Sequence, residues 1–214
     1  MPFKVNPEQT EQTRKALLEA SFALFARKSI ETVTMEEAAK AAGFGVASMY
    51  RYYSTKPKLV IAVATFAFKR LSEQYIRRVY DGAVEGMNAA QVLDYFLESF
   101  IEMYLHHKEL LRFNQFFNIY MQTEGIDDET AAPFRDMIGN IANRFHVVYV
   151  KAAVDHTVRT DVPERIMFST TLHLMLAAAT RYAVGLVYRN ESDADATEEL
   201  KTLKRARMRE YIVQ

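Results

Sequence analysis

Glycine and proline interrupt this 214-residue chain only seven and five times, and most of them stand between segments whose apolar residues recur every three and four positions. That spacing is the signature of amphipathic helices, and no segment alternates as a half-buried strand would. Helices are expected at about 8–28, from Thr34 to Gly43, and at 46–53, 56–81, 89–106, 108–123, 130–157, 163–189 and 194–212. Half of the residues are apolar, enough for a sizeable buried core. The fold class is therefore all-α.

Charge and composition remove several classes of function. The 27 Lys plus Arg balance 27 Asp plus Glu, so no global basic field draws the chain to nucleic acid, and any such contact is local. Residues 1–56 hold eight basic and six acidic side chains, a small local excess. The absence of cysteine excludes disulfides, thiolate metal sites and cysteine nucleophiles. Residues 1–8 lack the apolar core of a signal peptide. No apolar run approaches the ~18 residues of a membrane span, and the longest, Leu172 to Tyr188, is broken by Arg181. These features predict a cytoplasmic protein without membrane contact.

The first 56 residues carry the sharpest local pattern. Thr34 begins a Thr-x-x-Glu capping box with Glu37, and the short helix that it opens stops at Gly43, where a turn needs a positive φ. Only Phe44-Gly45 separate it from a second short helix at 46–53. Ala38 and Ala42 are small enough for the two helices to cross closely, and Phe44 and Met49 are expected beneath them. Val46, Ala47, Ser48, Arg51 and Tyr52 are left facing outward. Two short helices about a glycine turn form a helix-turn-helix, which projects its second helix into a DNA major groove. Pro57 falls in the first turn of the next helix, about 56–81, which links residues 1–56 to a helical bundle at 57–214.

From Ala16 to Leu59 the sequence resembles the N-terminal domain of the TetR (tetracycline repressor) family. The likeness is carried by residues 20–25 (Ala-Ser-Phe-Ala-Leu-Phe), 32–39 (Thr-Val-Thr-Met-Glu-Glu-Ala-Ala), Ala42-Gly43 and 48–53 (Ser-Met-Tyr-Arg-Tyr-Tyr), with Lys56 and Leu59 following. It implies a homodimer whose two heads meet successive major grooves of an operator, and a C-terminal domain that binds a small-molecule effector. By position, phosphate contacts fall to Thr34, Tyr50 and Lys56, with Tyr52 as a further one. Val46 and Ala47 then meet thymine methyls, while Ser48 and Arg51 supply polar contacts. Three positions depart from the family's habit. Ser29 replaces a glycine after the first helix, Gly45 replaces a serine cap, and Val46-Ala47 replace a polar residue and glycine, which leaves the reading surface poor in donors.

In the bundle, Phe113, Phe116, Phe117 and Tyr120 recur at helical spacing, and Phe96, Phe100 and Met103 do so on the helix before. They are expected to line an apolar ligand pocket, with His146, Tyr149 and His173 as its polar groups. The same residues equally suit an ordinary helical core. The resemblance assigns the dimer interface to the last two helices, here to the stripe Phe168, Leu172, Met175, Ala179 and Tyr182, with Leu200, Leu203 and Tyr211. The basic cluster at 201–209 lies near a helix C-terminus, where cations are favoured, and reads as a solvated face.

An enzyme of this class would need chemistry that the sequence lacks. A di-iron bundle uses Glu-x-x-His pairs, yet the residues three before His106, His107, His146, His156 and His173 are Met103, Tyr104, Asn143, Ala153 and Thr170. There is no His-Glu-x-x-His, Gly-x-Ser-x-Gly or phosphate-binding glycine loop. No catalytic residue, metal or cofactor is expected. The competing reading is an all-α carrier of small molecules or lipids, against which the first 56 residues argue.

Overall fold

The computed structural model of the chain describes residues 6–80, 84–185 and 192–213, with the backbone alone over 74–80. Within these residues lie α1 (Pro7–Phe25), a 3-10 turn (Ile30–Thr32), α2 (Met35–Ala41), α3 (Val46–Tyr53), α4 (Lys56–Tyr80), α5 (Ala89–His106), α6 (Lys108–Thr123), α7 (Asp128–Asp155), α8 (Glu164–Ala183) and α9 (Asp193–Tyr211). The described residues contain no strand, only an isolated bridge between Val158 and Ile212. The fold is all-α, with a helix-turn-helix near its N-terminus. Residues 81–83 and 186–191, on which the expected ends of α4 and α8 and parts of two loops fall, lie outside the described residues.

The chain divides into two compact units. One holds the residues up to Lys69 together with Phe113–Asp136, and the other holds Arg70–Arg112 with Met137 onward. In the first unit α1 is capped by Asn6, whose side chain accepts from the Glu8 N–H at 3.1 Å, with Pro7 in its first turn. It buries Leu17, Leu18, Ser21 and Phe25, and Ser21 satisfies its hydroxyl on the Leu17 carbonyl at 2.7 Å. The helix ends at Phe25, earlier than Lys28. The chain then turns through Ser29 at φ −57 into the 3-10 turn, which sinks Ile30 completely. With φ negative and ψ at 136 this extended geometry suits any residue, so the turn does not need the glycine that Ser29 replaces.

The expected capping box of α2 is complete. The Thr34 hydroxyl accepts from the Glu37 N–H at 3.0 Å, and the Glu37 carboxylate accepts from the Thr34 N–H at 2.9 Å. At its other end Gly43, at φ +78, lets the Phe44 N–H reach the Ala39 carbonyl at 2.9 Å while its own N–H bonds Lys40, closing a Schellman turn. Phe44 sits on the rim of that turn half-buried, whereas Met49 is wholly buried. A series of aromatic rings runs through the unit beside its aliphatic core. Phe22 packs on Phe113, Phe113 on Phe117, Phe117 on Phe134 and Phe134 on Phe68, at centroid distances of 4.7 to 5.9 Å.

The second unit packs α5 against α8 and α9 around Leu93, Leu97, Phe100, Phe145, Val148, Met167, Met175 and Tyr211. Helix α5 opens on its own Asn88–Gln91 capping box, and its start is held further by groups from far along the chain. The Ala89 N–H donates to the Asp155 carboxylate at 2.7 Å and the Ala90 N–H to the Thr157 hydroxyl at 3.1 Å, while Lys151 holds the Met87 carbonyl at 2.7 Å. The end of α9 is tied down by the Arg159 N–H on the Tyr211 carbonyl and the Val213 N–H on the Thr157 carbonyl. On α9, Lys204 reaches Asp94 and Glu98 of α5 at 2.9 and 2.6 Å. Helix α8 stops at Ala183, short of the expected 189, because Gly185 at φ +79 closes its C-terminus. Among the described residues no helix is long and apolar enough to cross a membrane.

Candidate nucleic-acid interface

Helix α3 is eight residues long, and its period decides what it shows. Met49 and Tyr53, four apart, turn inward and are buried, so Val46, Ala47, Tyr50 and Arg51 share the outward face, with Ser48 and Tyr52 half-buried at its edges. Val46 is 40% exposed and Tyr50 50% exposed, so two large side chains of α3 stand out from its packed face. The helix has no acidic residue. Its one cation, the Arg51 guanidinium, lies 5.4 Å from the centre of the Tyr52 ring. Gly45 caps α3 without a side-chain hydrogen bond, as its lack of a side chain requires.

Two further groups expected at DNA stand at helix starts in the same unit. Thr34 is exposed at the N-terminus of α2, and Lys56 begins α4. Free N–H groups and the helix dipole make such ends favourable for phosphate oxygens. Lys56 is only half-exposed. Its ammonium donates to the Glu31 carbonyl at 2.9 Å and lies 5.9 Å from the centre of the Tyr120 ring. Burial holds its pKa below the usual lysine value, partly offset by the carboxylates of Glu124, Glu31 and Glu37. Glu37 itself is held below the usual carboxylate range by the Thr34 N–H and by Lys28, whose ammonium is 3.4 Å away. The carbonyl of Glu31 was not foreseen as a partner of Lys56. A contact made by a backbone atom 25 positions away leaves no residue-type signal.

The residues expected to bind a ligand fall in two places. In the first unit Phe113, Phe117 and Tyr120 are buried and Phe116 half-buried on α6. The Tyr120 hydroxyl is buried without a hydrogen-bond partner, and burial together with Glu124 and Glu31 pushes its pKa up to about 12. In the second unit Phe100 and Met103 are buried on α5, and Phe100 joins an aromatic series through Phe96 to Phe145 and Phe168. Tyr149 is half-buried beside Phe145 and donates its hydroxyl to the Val162 carbonyl at 2.6 Å. His146 is exposed with Nδ1 2.8 Å from the Glu164 carboxylate, and His173 is exposed on α8. An open groove of about 610 Å³ in the second unit is lined by other residues, among them Met87, Asp94, Tyr95, Glu98, Lys204 and Met208.

Of the residues expected at a dimer interface, Met175, Ala179, Leu200 and Tyr211 are buried in the unit's own core, and Phe168, Leu172, Tyr182 and Leu203 are half-buried. The outward face of α8 is instead Ile166, Thr170, His173, Leu174, Ala177 and Arg181. Ile166 and Leu174, 39% and 38% exposed, are its large apolar members. Periodicity alone could not separate these faces, because α8 is apolar on most of its circumference.

Comparison with known proteins agrees with this geometry. Residues 17–63 match the family model of bacterial regulatory proteins, tetR family. Comparison with curated proteins finds no match in sequence. In structure the chain is similar to the fatty acid degradation regulator FadR from Bacillus halodurans, with a TM-score of 0.69 and 14% identity over 96% of each chain. It is also similar to the ketosteroid transcriptional regulator KstR2 of Mycobacterium tuberculosis, with a TM-score of 0.65 and 16% identity, covering 99% of this chain and 98% of that one. The transcriptional regulator FadR from Bacillus subtilis, in complex with stearoyl-CoA, gives a TM-score of 0.67 and 14% identity, covering 91% and 97%. At such identities the likeness is one of fold, while the helix-turn-helix itself is matched in sequence. Residues 17–63 therefore match the helix-turn-helix of the tetR family of bacterial regulatory proteins, and the chain as a whole has the fold of solved transcriptional regulators.

Proposed function

We propose that this chain is a ligand-responsive repressor that binds a palindromic operator as a homodimer and leaves it when a small apolar or aromatic effector binds. Residues 1–56 act as the reading head and 57–214 as the ligand-binding and dimerisation domain, in the cytoplasm and without enzymatic activity. The observation that carries the reading is the outward face of α3, where Val46 and Tyr50 stand in solvent beside Arg51 and no carboxylate. Val46 and Ala47 meet thymine methyls, Ser48 and Arg51 make the polar contacts, and Thr34, Tyr50, Tyr52 and Lys56 hold phosphates.

An apolar effector is favoured by the aromatic interiors of both units and by the structural relatives, one a fatty acid degradation regulator, one a ketosteroid regulator and one holding stearoyl-CoA. Dimerisation falls to the last two helices, through the outward face of α8 around Ile166 and Leu174, with Phe168, Leu172, Tyr182 and Leu203 at its margins. Effector binding shifts α4 and changes the separation of the two heads. Because half-sites lie about one turn of DNA apart, a few ångströms of divergence prevents both heads from docking. The effector must bind the DNA-incompetent state more tightly, or it shifts nothing.

The test is selection of genomic fragments by the full chain at fixed salt, repeated with the double variant Tyr50→Ala/Lys56→Ala. A palindrome recovered by the wild type and lost by the variant supports the reading, while a folded protein that recovers nothing points to the helical carrier. Stearoyl-CoA and a steroid are then titrated into the complex. A compound that saturates the protein without lowering operator affinity sinks the release mechanism for its class.

A further inference from the structure

Tyr120 lies on α6, far along the chain from the helix-turn-helix, and its side chain is 1% exposed. Its ring faces the Lys56 ammonium at 5.9 Å, and the same ammonium donates to the Glu31 carbonyl at 2.9 Å. All three residues belong to one compact unit. Glu31 and Glu124 act electrostatically on both Lys56 and Tyr120, so the four groups form one cluster. A lysine stem is flexible, and at the surface its ammonium samples many positions. Here two segments, 25 positions before it and 64 after it, fix where that ammonium sits. Glu31 also lies three residues before Thr34, so Lys56 ties the start of α4 to the start of α2, the two helix ends assigned to phosphates.

We propose that Tyr120 is a positioning residue for DNA binding: its ring, with the Glu31 carbonyl, holds the Lys56 ammonium at the paired starts of α2 and α4. This rests on the assignment of Lys56 to a phosphate under the proposed function. It moves Tyr120 from the ligand pocket, where its spacing suggested it belongs, to the base of the reading head. The face of the ring supplies the attraction and the hydroxyl is not needed for it, in keeping with a hydroxyl that has no hydrogen-bond partner.

The test compares the wild type with Tyr120→Phe, Tyr120→Met, Lys56→Ala and Tyr120→Met/Lys56→Ala on the duplex recovered by selection, over a range of salt. Tyr120→Phe keeps the ring face and retains wild-type affinity. Tyr120→Met keeps much of the volume but no ring, and loses about fivefold in affinity for each of the two heads, the scale of one cation–π contact per protomer. The dependence of log affinity on log salt flattens by about 1.8 in Lys56→Ala, about 0.9 for one phosphate contact in each of the two heads, and in the same direction in Tyr120→Met. The double variant binds no more weakly than Lys56→Ala. A Tyr120→Met loss that keeps the wild-type salt slope and adds in full to that of Lys56→Ala overturns the proposal, leaving Tyr120 a core residue. A wild type that recovers no duplex overturns the proposed function and this inference together, whereas a wild type that binds with Tyr120→Met unchanged removes this inference alone.

A second measurement needs neither DNA nor a folded Tyr120→Met. In wild-type protein carrying carbon-13 lysine, the Lys56 ε-methylene signal, assigned through Lys56→Arg, is displaced upfield from the other lysines by the ring face. A Lys56 signal among those of solvated lysines overturns the proposal.

Discussion

Helices α3 and α8 are both read from sequence as surfaces for a partner, and they teach opposite lessons. In α3 the buried positions, Met49 and Tyr53, are set by a short segment whose ends are fixed locally, by the Schellman turn before it and Ser54 after it. Its outward face is legible from spacing because so few residues compete for the inside. Helix α8 has twenty residues and apolar side chains around most of its circumference. The stripe Phe168, Leu172, Met175, Ala179 and Tyr182 is continuous in sequence, yet Met175 and Ala179 are completely buried by α5 and α9 of the same chain, and Leu174 is exposed. A strong local boundary fixes which face a helix shows, and without one the neighbours decide.

The largest effect expected of that contrast is at Met175. Met175→Ala should destabilise the chain by about 2–5 kcal/mol, since it opens a void in a packed interior. Thermal unfolding should show the loss equally at high and low protein concentration. A cost that vanishes on dilution would mean that Met175 packs against a second copy, and the contrast with α3 would collapse.

Next in size is Gly43→Ala. There is no steric obstacle to a Cβ at this position, but φ is +78, and a left-handed non-glycine residue costs about 1–2 kcal/mol. Thermal unfolding should report that loss, with operator affinity falling as the angle between α2 and α3 loosens. An unaffected melting temperature would show that the turn is not the local boundary that makes α3 legible.

Helix caps sharpen the comparison further, because α2 in the first unit is capped from within, whereas α5 in the second adds groups from across the fold to its own Asn88–Gln91 box. Thr34→Ala should cost about 1 kcal/mol at neutral pH, read by chemical denaturation. Asp155→Ala should also lower stability, but with a dependence on pH. The Thr157 N–H, working against partial burial and joined by the Ala89 N–H, holds the Asp155 carboxyl below the usual carboxylate range. A depressed folded-state pKa gives stability that is fully present above the unfolded value of about 3.9 and is lost as pH falls through the folded value. The gap between wild type and Asp155→Ala should narrow over that acidic window, and a gap constant with pH would show that the carboxylate charge contributes nothing.

The smallest expected effect on the fold is at Leu174. Leu174→Asp should change unfolding stability by no more than about 0.5 kcal/mol in the single chain, as substitutions on an exposed face do. It should nonetheless weaken self-association in sedimentation equilibrium. A dimer indifferent to Leu174→Asp would place the interface on another face.

Much of this protein is determined by sequence alone, through interactions that close within a few residues. The Thr34–Glu37 box, the stop at Gly43, the span of α3 and the limits of α5 and α6 are all of this kind, because a cap or a helical period has its partners five positions away or fewer. The end of α8 at Gly185 was equally available, and it passed unread because the apolar pattern continues through it. Tertiary structure alone decided the rest. It turned Met175 and Ala179 inward, set Asp155 on the start of α5, and brought the Glu31 carbonyl and the Tyr120 ring to Lys56. The contacts of Lys56 and of Asp155 join residues 25 to 66 positions apart in the chain, and those of Met175 and Ala179 with α5 join residues still farther apart. Residue type and spacing do not encode which of several apolar faces, or which of many carbonyls, such a pairing will select.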